Sequence, residues 1–241
     1  MDMKKYIYVA GCVFTREEPE LSVKIQDYLQ QRFQMRIARC CTANYKDFTP
    51  AMPEWLRQRW RELPDYADVT ENDTMVYVCH NCAAIFQEAM PETGRLSLWD
   101  LIANDKEFPF PDRSGETIAL QDCWRSHDNR SEQEAVRILL RKMNADIVEL
   151  EERREKTHFC GISLYMPAPK RNLELAPKRF VENAPGKFIQ RTKEEQRQLM
   201  REHCEKIPVD TVTAYCHYCV KGLRVGGKPA RHLAALLFGA E

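Results

Sequence analysis

The phrase TMVYVCHNC at 74–82 returns as TVTAYCHYC at 211–219. Each copy reads as a short β-type run that stops at the first cysteine of a C-x-x-C pair, with His80 or His217 directly after it. A repeat of this kind constrains the fold more than any composition figure, because it implies that the chain folds the same way twice. The residues ahead of each copy agree. In the first half KYIYVAG (5–11), MRIARC (35–40) and TMVYVC (74–79) alternate with helical PELSVKIQDYLQQRF (19–33), PEWLRQRWREL (53–63) and AAIFQEAM (83–90). In the second, TIALQDC (117–123), ADIVELE (145–151) and DTVTAYC (210–216) alternate with helical SEQEAVRILLRKM (131–143) and PARHLAALLFG (229–239). Alternation of this type gives βαβ units and parallel sheets. The expected fold is α/β: two tandem Rossmann-like cysteine-rich halves with parallel sheets, pseudo-twofold related, over 1–104 and 116–241. ANDKEFPFPDRSGE (103–116) reads as the linker, and Ser131 with Glu134 as a capping box opening a helix.

Ten cysteines in 241 residues require a reason. The N-terminal MDMKKYIYVAGCVF has no A-x-A cleavage pattern and reads as a first strand. No apolar run approaches the ~20 residues of a membrane-spanning helix. The expected compartment is the cytoplasm, where thiols stay reduced, so metal or cluster ligation is favoured over a disulfide framework. Thirty-six Lys plus Arg balance 36 Asp plus Glu, which gives no overall pull toward nucleic acid. No G-x-G-x-x-G follows a strand, and GLRVGGK (222–228) has the wrong spacing for a nicotinamide or flavin site.

The cysteines fall in two ordered sets at predicted strand ends: Cys12, Cys40, Cys41, Cys79 and Cys82, then Cys123, Cys160, Cys216 and Cys219. In an open parallel sheet those ends share one edge, where ligands bind. Helices starting there, after Cys79 and Cys216, lower thiolate pKa and favour a negatively charged centre. Soft thiolates suit zinc or iron–sulfur chemistry. A zinc ribbon places its two C-x-x-C units ~15 to 20 residues apart, far closer than Cys82 and Cys216. A single redox C-x-x-C leaves the other cysteines unexplained. Five cysteines exceed the four of a tetrahedral zinc site, whereas an iron–sulfur cluster uses them all.

This order resembles the duplicated cysteine-rich CCG domain of the B subunit of heterodisulfide reductase and of related subunits in glycolate, lactate and glycerol-3-phosphate oxidation systems. LQDCWRSH (120–127) resembles that family's His-Asp-Pro-Cys-His strand end without its proline. EKTHFCG (155–161) stands where CCG is expected, and CHYCVKGL followed by PARHLAALL resembles the closing segment. The resemblance spans essentially the whole chain. It departs from the family at Phe159, in place of the first cysteine of the second pair, at Thr42, in place of the first glycine, and in a shorter gap after Cys12.

What the resemblance implies is an iron–sulfur redox protein. Its five-cysteine site would hold a noncubane double cluster that binds a substrate thiolate and breaks a disulfide, while the four-cysteine site fits a 4Fe-4S cubane or a structural zinc. Cys40, Cys41 and His80 are the candidate catalytic residues, His80 as a proton donor to a leaving thiolate or a hydrogen-bond donor to a cluster sulfur. The implied partners are an electron-donor protein, ferredoxin-like or a flavin/iron–sulfur subunit, and a disulfide or thiol substrate. Two other classes stay open: a non-catalytic electron carrier and a zinc-stabilised binding or assembly protein.

Single residues have plainer readings as well. His80 and His217 also fit as partly exposed residues of a first helical turn. Asp122 and His127 flank Cys123, where they tune the site or, for Asp122, cap the next helix. Cys204, within helical KEEQRQLMREHCEKI, fits neither set and reads as a plain buried thiol. Trp55 and Trp60 read as packing residues. The basic, Pro-rich insertion at 166–188 reads as a solvated loop, or more sharply as a lid over the crevice or a docking arm for an acidic partner.

Overall fold

A computed structural model describes residues 5–40, 48–66 and 69–239. The chain forms two compact units, Met1–Leu98 and Trp99–Glu241, each an α/β fold around a four-stranded parallel sheet.

In the first unit β1 (Lys5–Ala10) leads into α1 (Cys12–Glu17) and α2 (Pro19–Phe33), followed by β2 (Arg36–Arg39), α3 (Glu54–Glu62), β3 (Asp73–Tyr77), α4 (His80–Ala89) and β4 (Gly94–Ser97). The sheet order is β2-β1-β3-β4, with Ile7 beside Arg36 and Met75. Every residue of β3 is buried, as expected of a central parallel strand covered on both faces. α2 begins with Pro19, whose missing N–H costs nothing in a first turn, and ends at Gln34 in the left-handed region. Its buried Ser22, Ile25, Gln26 and Leu29 follow the i, i+3, i+4, i+7 stripe of a helix lying on a sheet.

In the second unit α5 (Leu98–Asn104) precedes β5 (Thr117–Gln121), α6 (Arg130–Lys142), β6 (Asp146–Glu149), α7 (Lys170–Leu175), α8 (Lys193–Glu205), β7 (Val212–Ala214), α9 (His217–Val225), β8 (Arg231–His232) and α10 (Leu233–Phe238). The sheet order is β6-β5-β7-β8, so the two units share one strand order. Ile118, Ala119, Leu120, Val136, Leu139, Val212 and Ala214 form the fully buried centre.

Several details differ from the sequence expectation. The first unit closes at Leu98, and α5 packs with the second: Ser131 Oγ donates to Asp100 Oδ1 at 2.6 Å, and Lys142 Nζ donates to the Ala103 carbonyl at 2.8 Å. That same bond removes Ser131 from the expected capping box. The N-cap of α6 is Asn129, which accepts from the Glu132 amide, and the capping box that does form joins Thr192 and Glu195 on α8. The strands β4 and β8 are short and carry Arg95 and Arg231, so no apolar run announces them. The insertion 166–188 is more than a solvated loop: it contains α7, and its turn at 178–182 buries Arg179 and Phe180.

Candidate metal centre

Both sheets reverse direction of growth at the same place. After β1 the chain adds β2 on one side and then β3 on the other; after β5 it adds β6 and then β7 likewise. Such a switch point opens a crevice beyond the carboxyl ends of the two central strands. In the second unit Cys123 lies just beyond β5 and Cys216 just beyond β7, as the N-cap of α9, with Cys219 in the first turn of that helix. Cys160 arrives from the long connection after β6. The Sγ atoms of Cys123, Cys160, Cys216 and Cys219 all lie within 4.8 Å of one another, and all four residues are buried. Cys123 and Cys160 are 3.4 Å apart, and Cys160 and Cys216 3.9 Å. A zinc tetrahedron with Zn–S bonds of ~2.3 Å has S···S edges of about 3.8 Å, so the four sulfurs suit one metal ion. A cubane body between them calls for a wider set.

Two glycines make the approach of Cys160 possible. Gly161 has φ +59°, and a Cβ there would lie 2.0 Å from the Tyr218 carbonyl oxygen; one on Gly222 would lie 2.3 Å from the Gly161 Cα. The turn after Cys160 therefore rests directly on the backbone of α9. Phe159, which precedes Cys160, forms a wall beside the site. Its carbonyl accepts from the Trp124 amide at 2.9 Å, and its ring stacks on His203 with centroids 3.9 Å apart.

The thiols do not titrate alike. Burial, reinforced by hydrogen bonding to Cys160, pushes Cys123 well up, and burial does the same to Cys219. Burial also opposes ionisation of Cys160, but hydrogen bonds from Cys123 and Cys219 and the charge of Arg125 outweigh it and bring Cys160 below the ordinary thiol range. Arg125, in the turn after Cys123, was not singled out in the sequence; nothing distinguishes one arginine in LQDCWRSH until the fold closes. Its Nη1 donates to Cys160 Sγ and, at 3.0 Å, to Ser163 Oγ. The guanidinium lies 4.9 Å from the ring centre of Tyr218, 5.4 Å from Phe188 and 5.9 Å from Phe180.

A polar frame fixes the strand ends behind the cysteines. Asp122 accepts from Arg137 through both carboxylate oxygens, at 3.1 and 2.7 Å, from the Tyr215 hydroxyl at 2.9 Å and from the Arg154 amide at 2.7 Å. Asp122 is thus a bracket between the neighbours of Cys123 and Cys216 and does not cap the turn that follows Cys123, whose N-cap is Cys123 itself. Arg137 also pairs with Glu149 on β6. His127 stacks on Trp124 and lies 3.2 Å from Arg179 Nη1.

In the first unit Cys12 and Cys79 occupy the positions of Cys123 and Cys216, and Cys79 is the N-cap of α4. The Cys12 amide donates to Cys40 Sγ at 3.1 Å. Cys12, Cys40, Cys79 and Cys82 are all buried; Cys41, the fifth expected ligand, and Thr42 lie outside the described residues. Hydrogen bonding from the Cys82 thiol holds Cys79 below the usual thiol range against burial and the charge of Cys40, and the amides of Cys82 and Asn81 act in the same direction. Cys82 is pushed well up, first by its hydrogen bond to Cys40. The Tyr8 phenol is raised by burial and then by Cys79, Cys82 and Cys40. Its hydroxyl has no hydrogen-bond partner among the described residues.

His80 and His217, for which a partly exposed first turn is one of two readings of the sequence, are both buried. Cys204 is a buried thiol with its sulfur 3.5 Å from the Leu223 carbonyl, apart from the four-cysteine group. Trp60 is a core residue, while Trp55 is exposed. Among the described residues no helix is long and apolar enough to cross a membrane.

No family model and no curated protein matches the chain. Similar solved structures include glutamate racemase isoform RacE1 from Bacillus anthracis, at 10% identity and a TM-score of 0.33, covering 98% of this chain and 79% of that one. Another is the Picrophilus torridus aspartate racemase, at 15% identity and a TM-score of 0.28, covering 97% and 90%. At those scores neither racemase bears on the chemistry of this chain.

Proposed function

We propose that the protein is an iron–sulfur redox protein of the heterodisulfide reductase B type, with its reactive centre in the first unit and a closed four-thiolate metal centre in the second. The observation that supports this most is the shared strand order, which brings cysteines to the same switch point in both sheets. The donor set of the first unit fits a sulfur-rich cluster: four buried thiols, with Cys41 as the fifth ligand, and the buried Tyr8 hydroxyl as a donor with no protein acceptor among the described residues. A cluster held by Cys12, Cys40, Cys41, Cys79 and Cys82 would supply the electrons, one at a time, that cleaving a disulfide to two thiolates takes up. The chain's own residues would do the rest. Cys79, already favoured as a thiolate, would be a ready ligand; His80, buried and directly after it at the start of α4, would hold a proton for a departing thiolate. Electrons would come from a ferredoxin-like or flavin-containing partner, since no nicotinamide or flavin fingerprint is present in the sequence.

The spacing of the second site favours a mononuclear ion, zinc in particular, held by Cys123, Cys160, Cys216 and Cys219 with no position left for substrate. The same spacing lends weight to a second reading, in which both units hold zinc and the protein is a binding or assembly factor. Anaerobic purification of the full chain followed by metal analysis separates the two. The redox reading expects a brown protein with several irons and about one zinc per chain, and a paramagnetic signal that changes on adding a thiol or disulfide. A colourless protein holding zinc alone overturns it.

A further inference from the structure

The basic insertion that the sequence left between loop, lid and docking arm packs on the residues that follow Cys123. The Arg125 guanidinium lies over three rings, that of Tyr218, within the C-x-x-C of α9, and those of Phe180 and Phe188. The rings of Phe180 and Phe188 are 5.6 Å apart, and Phe188 meets Trp124 edge-on at 5.7 Å. Arg179 pairs with Asp128, and the Lys187 ammonium lies 5.7 Å over the Trp124 ring. The segment is thereby tied down at both ends. Arg125 itself is 4% exposed and donates to Cys160 and Ser163 at once.

A divalent ion neutralises only half the charge of four thiolates, and a buried excess of negative charge is costly unless a cation is fixed against it. Arg125 is a cation in direct contact with the sulfur of Cys160. Three aromatic faces and Ser163 hold its plane, so no water or mobile ion can do the same at so little cost in order. The first unit is built otherwise: two positions after Cys12 stands buried Phe14, where Arg125 stands two positions after Cys123. We propose that Arg125, clamped by Phe180, Phe188 and Tyr218, is a positioning residue that locks the metal into the four-cysteine centre, and that the 178–188 segment sets how slowly that metal leaves. This rests on the reading of the second site as a metal centre.

The test follows metal release from the full-length protein to a coloured chelator, with total metal content measured first. Arg125→Gln removes the charge and is expected to speed release from the second site by about 10- to 100-fold, the usual effect of losing a partner that orients a metal ligand. Arg125→Lys, which keeps the charge without the planar guanidinium that Phe180, Phe188 and Tyr218 contact, should fall between it and the parent. Phe188→Leu leaves Arg125 in place and loosens only the clamp, so it should raise the release rate several-fold with unfolding temperature and circular dichroism unchanged. Equal release rates in the parent, Arg125→Gln and Phe188→Leu overturn the lock while leaving the metal centre standing. A parent protein with no metal bound by Cys123, Cys160, Cys216 and Cys219 overturns both.

Discussion

At the scale of single residues, Gly161 is where backbone geometry and ligand placement meet. Its positive φ is strained for any side chain, and a methyl group would collide with the Tyr218 carbonyl, which belongs to the very helix turn that carries Cys219. Gly161→Ala is expected to cost about 2–4 kcal/mol, from left-handed strain plus overpacking, and to lower metal occupancy of the second site. Urea unfolding and zinc content check it; an unchanged midpoint with full metal content contradicts the close contact. The Cys-Gly pair was visible in EKTHFCG. Its counterpart Gly222 was not, because only the tertiary approach of the two backbones requires it. Cys12, Cys40, Cys79, Cys123 and Cys216 were readable for a related reason, since each closely follows a strand whose short run is visible locally, whereas Cys160 comes from the connection after β6. Arg125, Tyr218 and Phe188 became site residues only by meeting in space.

At the scale of elements, what the sequence disclosed depended on whether a local pattern decided the outcome. α2 and α6 follow their apolar stripes closely, and β1 and β5 their short buried runs. The start of α6 went otherwise because Asp100, distant in sequence, draws away the Ser131 hydroxyl and leaves Asn129 to cap. The docking of α8 onto β5 likewise has no local signature. His203 Nε2 donates to Gln121 Oε1 at 2.6 Å, and Gln121 in turn donates from Nε2 to the Asp122 carbonyl at 2.8 Å. Burial, helped by the charge of Lys206, lowers the His203 pKa to about 4. The folded protein therefore binds fewer protons there than the unfolded chain, whose histidine titrates near ~6.5. The stability this supplies is present above about pH 6.5 and is lost as pH falls toward 4, by at most roughly 3 kcal/mol. His203→Gln should flatten the difference in unfolding free energy between pH 7 and pH 5 relative to the parent. Parallel pH profiles for the two proteins contradict a depressed His203.

At the scale of the whole molecule, the two units share a scaffold and differ around their cysteines. Strand order, the cysteine N-caps of α4 and α9, and the histidine after each are common to both units. Phe159, Arg125 and the 166–188 insertion belong to the second alone. Because each unit closes its own sheet and its own core, losing a ligand in one should leave the metal of the other untouched. On the redox reading proposed above, Cys216→Ser is expected to abolish the zinc of the second unit with iron unchanged, and Cys79→Ser to deplete iron with zinc retained. Cys204→Ser should keep both, since that thiol lies against the Leu223 carbonyl and the Gly226 and Lys228 backbone, apart from the four-cysteine group. Metal analysis of the three anaerobically purified proteins decides the matter. Loss of both metals in Cys216→Ser would mean that the units load their centres together, and that the two halves are not separate metal proteins in one chain.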